Sequence, residues 1–209
     1  MASVPRPDRP ATSVALYLHG GTVHSQRPVT RTAATFQRAR WVCKAIGPSL
    51  LDAGIASVLL RYTVRGWNAK DGEPAPLADA QWALDQVTDR WRLPIILVGH
   101  SMGARTGLHV AAHPNVIGLV ALAPWFPADD PIDGLRGRHL SVLHGTHDRI
   151  TSPRESAALA QRSEAVTAST HYIPMPGLGH YLLTSAADWH RTTRSEVLRI
   201  AEASRQTVI

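Results

Sequence analysis

The sequence predicts a doubly wound α/β domain, on three observations. Short apolar runs alternate with helical stretches, the runs are apolar throughout instead of every second residue, and no repeat, low-complexity tract or interdomain linker breaks the series. A chain of 209 residues is expected to form one domain with a sizeable core. Its 44% hydrophobic and 18% charged content excludes a disordered chain. Apolar runs such as Ile95 to Val98 and Val116 to Pro124 are too short to cross a bilayer, so no membrane partner is expected.

The first thirteen residues, MASVPRPDRPATS, contain no apolar core of a secretory signal. Residues 1–13 therefore read as a proline-rich lead-in and 14–209 as the domain. Val14 to His19 reads as a buried strand ending at Gly20-Gly21. A polar loop leads to a helix from about Ala34 to Ala53, with Gly54 where a helix C-terminal glycine belongs. Ile55 to Tyr62 reads as the second strand. Thr63 to Pro76 lacks periodicity and reads as a loop. Leu77 to Trp91 carries apolar residues at helical spacing.

Ile95 to Val98, all β-branched or leucine, fits a central parallel strand, and a helix is expected from Ser101 to about His113. Val116 to Ala123 is the next strand, closed by Pro124. Leu140 to His144 follows after a loop containing proline and aspartate. Pro153, suited to a first turn, opens a helix to Val166. Ser169 to Ile173 is a last strand and Ala187 to about Ser204 a closing helix. The total is about six strands with helices on both faces.

Ligands of such sheets bind beyond the carboxyl ends of the strands, so each functional residue should follow a strand. Gly99-His100-Ser101-Met102-Gly103 fits G-x-S-x-G and lies directly between a strand and a helix, the context of a nucleophile elbow. A strand that turns at once into a helix holds the serine in a strained conformation and brings positions 99 and 103 together, which suits glycine. The turn also aims the Met102 N–H and the helix N-terminus at a point where negative charge could develop. The five residues alone also fit a helix-capping serine after a glycine turn.

A serine hydroxyl needs a base, and an imidazole base needs a carboxylate to fix its tautomer. The expected chain order is serine, acid, histidine. Asp148, in HGTHDRIT, and His180, in PGLGHY, both follow strands and come in that order. Asp129, Asp130 and Asp133 are the competing acids, following the preceding strand. Of the other histidines, His100 is expected to be locked in the elbow, pointing away from the serine. His171 lies within a strand, and His147 comes too early in the chain. A second amide for an oxyanion should come from the loop after the first strand, where Gly21 is the first choice and Thr22 the alternative.

The motifs HGG, GHSMG, HGTHD and GLGH, in that order, make the chain resemble the α/β-hydrolase superfamily from Val14 to the final helix. The likeness is to dienelactone-hydrolase-like and small bacterial esterase members, and RYTVRGWN adds a less specific match. The resemblance implies strand order 2-1-3-4-5-6, without the two leading strands of the full fold. It also implies no cap, because Ala123 to Leu140 leaves no room for one. Pocket walls are then expected from strand-end loops: His24, Ser25, Arg65, Trp67, Trp125 and Phe126. The site should be shallow and open unless the loop 63–76 folds across it.

Other chemistries fit less well. The one cysteine, Cys43, excludes an internal disulfide, fits a reducing compartment and so the cytoplasm, and sits in a helical pattern as a structural thiol. The net charge of +6 comes from scattered arginines without a basic run, so nucleic acid is not expected as a partner. His109 and His113 have Val110 where a zinc-protease motif needs glutamate, and of the possible ligand group His144, His147 and Asp148 a triad explains Asp148 better, so no metal is expected. No P-loop is present, Gly177-Leu178-Gly179 lacks a dinucleotide context, and no cofactor is expected. The predicted function is hydrolysis of an ester, lactone or thioester in a small-molecule acyl substrate. A non-catalytic binding protein on the same scaffold, or an acyltransferase or cyclase, is the alternative. Substrate identity and oligomeric state are not encoded legibly.

Overall fold

The computed structural model describes residues 10–69 and 72–206. Most of the expected lead-in, residues 1–9, lies outside them; Ser13 already belongs to the first strand. Six strands form one sheet: β1 (Ser13–Leu18), β2 (Ile55–Leu59), β3 (Ile95–His100), β4 (Val116–Leu122), β5 (His139–Gly145) and β6 (Ser169–Met175). Their order is β2-β1-β3-β4-β5-β6, and every neighbouring pair is parallel. Five helices connect or close them: α1 (Ala34–Asp52), α2 (Ala75–Trp91), α3 (Met102–Val110), α4 (Pro153–Ser163) and α5 (Ala186–Gln206). This is the predicted architecture.

The apolar runs become strands because both faces of the sheet are covered. Residues of β1, β3 and β4 are almost entirely buried, with α1 packed against α5 and α2 against α3. Cys43 lies half-buried on α1, and burial pushes its thiol up to about 11, which keeps it protonated and unreactive. Between β4 and β5 only a single 3-10 turn, Asp133–Leu135, interrupts the loop, so no cap covers the carboxyl ends.

Several element ends fall a few residues from the sequence expectation, and two of these shifts have clear tertiary reasons. β2 stops at Leu59 although the expected strand continues to Tyr62. Leu60 N–H still reaches the Tyr17 carbonyl, but β1 has ended by the time Tyr62 is reached, and Tyr62 N–H donates to the His19 imidazole instead. β3, in turn, extends through Gly99 and His100, which pair with Ala121 and Leu122. The elbow thus begins while the chain is still in the sheet.

Candidate active site

At the end of β3 the chain reverses from strand to helix in one residue. Ser101 adopts φ 54° and ψ −118°, a region that L-residues avoid, and α3 starts at Met102. Ser101 N–H donates to the Leu122 carbonyl, and its own carbonyl accepts from Trp125 N–H at 3.3 Å. The sheet and the loop after β4 therefore hold the strained residue from both sides. A Cβ on Gly99 would stand 2.5 Å from the Gly103 oxygen, the crowding expected of an elbow. Gly103 is glycine for a different reason: its Cβ would drive into the Leu18 carbonyl, so α3 can approach the end of β1 only without a side chain there.

The loop after β1 approaches the same point. A Cβ on Gly20 would lie 3.5 Å from Ser101 Cβ, and one on Gly21 would clash with the Met102 side chain. The Thr22 N–H is spent on the Arg65 carbonyl at 2.9 Å. Gly21 N–H has no hydrogen-bond partner among the described residues, which leaves it, and not Thr22, available to a ligand. His19 orients this peptide. Its Nε2 accepts from Tyr62 N–H, so Nδ1 carries the hydrogen and donates to the Gly20 carbonyl at 2.6 Å. Because the amide is trans and planar, the Gly21 N–H then points the opposite way.

His180 and Asp148 arrive from the other end of the sheet. His180 Nδ1 donates to Asp148 Oδ2 at 2.8 Å, with both side chains buried. Asp148 Oδ1 accepts from Ile150 N–H at 2.8 Å and Thr151 N–H at 3.0 Å. Its Oδ2 also accepts from the Thr151 hydroxyl at 2.9 Å and from His144 Nε2 at 3.2 Å. Burial alone would raise this carboxyl, but the hydrogen bonds from His144, His180, Thr151 and Ile150 outweigh it and hold it well below the usual carboxylate range.

His100, expected to point away from Ser101, reaches the loop that carries His180. Its Nε2 donates to the His180 carbonyl at 3.0 Å, and the two rings lie 5.0 Å apart. The residue before Ser101 thereby anchors the loop that carries His180. Burial, reinforced by the neighbouring His180, lowers His100 to about 3, and burial lowers His19 to about 4.

Both histidines are consequently neutral in the fold and would gain protons on unfolding below their ordinary value of 6.5. Stability is full above that pH and falls as the pH drops toward 4, by about 1.4 kcal/mol per unit for each histidine. Urea unfolding at pH 7 and pH 5 should show a clear drop in the midpoint at pH 5. A midpoint unchanged between the two would contradict the assignment of both rings as neutral.

The expected pocket residues divide. Trp125 is half-buried and bonds the Ser101 carbonyl through its N–H. His24 is exposed on the loop after Gly21. Ser25 is a splint: its N–H and carbonyl both bond the Asn68 side-chain amide. Trp67 and Phe126 are packed away, at 3% and 1% exposure, which corrects their expected place on an open pocket wall. Trp67 belongs to the buried core and also covers a charge. The Arg105 guanidinium lies against both Trp67 and Trp125, 4.4 and 4.5 Å from their rings, and forks onto Asp130.

That fork also removes Asp130 as a competing acid, since Arg105 and His109 occupy it. Arg65 is half-buried, and its backbone pairs with the oxyanion-side loop. The loop from Thr63 to Asn68 is bonded along its length to residues 22–29, beside the Gly21 turn. Among the described residues no three His, Cys, Asp or Glu side chains converge as a metal site, and no helix is long and apolar enough to cross a membrane.

His144, Thr151, His100 and His19 were not picked out by the sequence as contributors. The only available signal was adjacency: His144 and Thr151 flank Asp148 at spacings of four and three, and His100 and His19 flank the glycine motifs.

Residues 15–141 match the family model described as "Alpha/beta hydrolase family". This stretch includes Gly21 and Ser101 and ends before Asp148 and His180. No curated protein matches the chain. Among solved structures, the chain is similar to an alpha-beta serine hydrolase homologue from Coxiella burnetii, at 16% identity and TM-score 0.68, covering 91% of this chain and 88% of that one. It is similar to an a/b serine hydrolase without lid from Xanthomonas campestris, at 19% identity and TM-score 0.68, covering 93% and 85%. It is also similar to the esterase domain of a Rhodothermus marinus protein, at 17% identity and TM-score 0.64, covering 92% and 90%. At these identities the likeness is one of fold.

Proposed function

The chain belongs to the alpha/beta hydrolase family, and from that premise we propose that it is a serine hydrolase cleaving an ester or related acyl bond through an acyl-enzyme on Ser101. One observation carries the reading. A strained serine, two unspent amides (Gly21 and Met102) and a buried histidine–carboxylate pair lie beyond the carboxyl ends of β1, β3, β5 and β6 of one parallel sheet.

Ser101 Oγ attacks the acyl carbonyl while His180 takes its proton through Nε2, the nitrogen left over once Nδ1 is committed to Asp148. The Gly21 and Met102 amides receive the oxyanion. Collapse expels the alcohol or thiol with the proton from His180, and water, deprotonated by the same imidazole, releases the acid. Asp148 stays ionised throughout, consistent with its strongly favoured carboxylate form.

The surroundings support a small apolar acyl or alkyl substrate. Val23, Ile150, Tyr181 and Leu183 are large apolar residues at least half exposed, and they sit on the loops that bear Gly21, Asp148 and His180. Neither a cofactor nor a nucleic-acid partner enters the mechanism. The test is a fluorophosphonate probe followed by peptide mapping. Modification at Ser101, together with turnover of short-chain p-nitrophenyl esters, is the expected result. A folded protein left unmodified would refute the proposal.

A further inference from the structure

Asp148 receives a second imidazole. His144, next to the last residue of β5, is fully buried, and its Nε2 lies 3.2 Å from Oδ2, the same oxygen that accepts from His180 Nδ1. Its other ring nitrogen, Nδ1, is 2.8 Å from the hydroxyl of Ser156 on α4, which is fully buried as well. An ionised carboxylate oxygen only accepts, so Nε2 carries the hydrogen. Nδ1 is then an acceptor and the Ser156 hydroxyl donates to it. A directed chain, Ser156 to His144 to Asp148, thus ends on the oxygen that holds His180.

Resting on the reading of Asp148 and His180 as the acid–base pair, we infer that His144 is a positioning residue: it fixes the Asp148 carboxylate in one orientation and moderates its pull on the His180 proton. Packing does not account for it. An apolar side chain would fill the space without the cost of desolvating a ring, whereas here both ring nitrogens are engaged. Oδ2 takes three donors, from His180, His144 and Thr151, and each lowers the electron density available to the other two. When Ser101 loses its proton, charge builds on the His180–Oδ2 bond, and a carboxylate already shared with His144 keeps its position without capturing the proton. The other ionisable groups around the pair are His100 from β3, on the His180 carbonyl, and Arg38 from α1, over the Tyr181 ring. Neither touches Asp148.

The test compares His144→Phe, His144→Gln and Ser156→Ala with the wild type by kcat/KM against pH, and by the NMR resonance of the His180 Nδ1 proton. His144→Phe should lower kcat/KM by about 10- to 100-fold, the effect typical of groups that orient a ligand or base. It should also move the acid limb to higher pH and displace the Nδ1 resonance. His144→Gln, whose amide can still donate to Oδ2, should recover most of both. Ser156→Ala should shift the limb in the same direction by less, and it serves alone if His144→Phe does not fold. An unchanged acid limb and resonance in a variant that is merely less thermostable would overturn the inference. If the wild type neither turns over esters nor takes the probe, the proposed function falls separately. The resonance then decides: displaced, the positioning role holds; unmoved, it does not.

Discussion

Ser101→Ala is expected to lower kcat by about a million-fold, the scale seen when the nucleophile of a triad enzyme is removed. The residual rate would come from the Gly21 and Met102 amides and from binding alone. The variant should fold normally, because the Ser101 hydroxyl makes no hydrogen bond to another described residue and only its backbone anchors the turn. Ser101→Gly sharpens the test. Glycine accepts φ 54°, ψ −118° without steric penalty, so this variant should be equally inactive yet more stable than wild type by about 1 kcal/mol. Paired kcat and urea-unfolding measurements check both. Loss of activity with loss of stability in Ser101→Gly would mean that the turn is not strained as described.

Asp148→Asn is expected to cost about 10⁴-fold in kcat, as when a triad histidine loses the acid that fixes its tautomer. Unlike Ser101, this site should also lose stability. The carboxylate accepts from five donors: His180, His144, the Thr151 hydroxyl, and the Ile150 and Thr151 amides. An asparagine presents one oxygen and one NH2 group, so buried donors on one side are left facing another donor, at about 1–3 kcal/mol each. Asp130→Asn is the informative comparison. That carboxylate is held by Arg105 and His109, and its loss should lower the unfolding midpoint with kcat kept within about tenfold. A larger kcat loss at Asp130 than at Asp148 would reverse the choice of acid.

Much of this molecule is legible in its sequence because the relevant forces are local. Ile95 to Val98 and Val116 to Leu122 become strands by apolar composition, and Gly99 is glycine because the turn that follows crowds its Cβ position. The order Gly21, Ser101, Asp148, His180 follows from strand order, since each must emerge at the same edge of a parallel sheet. The place where β2 ends is not legible: the sequence fits a strand to Tyr62, but a strand lasts only as long as its neighbour offers carbonyls, and β1 has run out.

Ser101 is thus marked in the sequence by its glycine neighbours, one of which is crowded by its own turn and the other by the end of β1. What only the tertiary structure decided is the company each group keeps. Gly21 was separated from Thr22 by a carbonyl 43 residues further on, at Arg65. Asp130 is engaged by the guanidinium of Arg105 while Asp148 meets His180, and Arg105 also packs on the buried Trp67. His144 and His100 gained roles through Asp148, Ser156 and His180. Hydrogen bonds and ion pairs form between atoms a few ångströms apart whatever their distance along the chain, and a one-dimensional pattern carries no record of those distances until the sheet has brought them together.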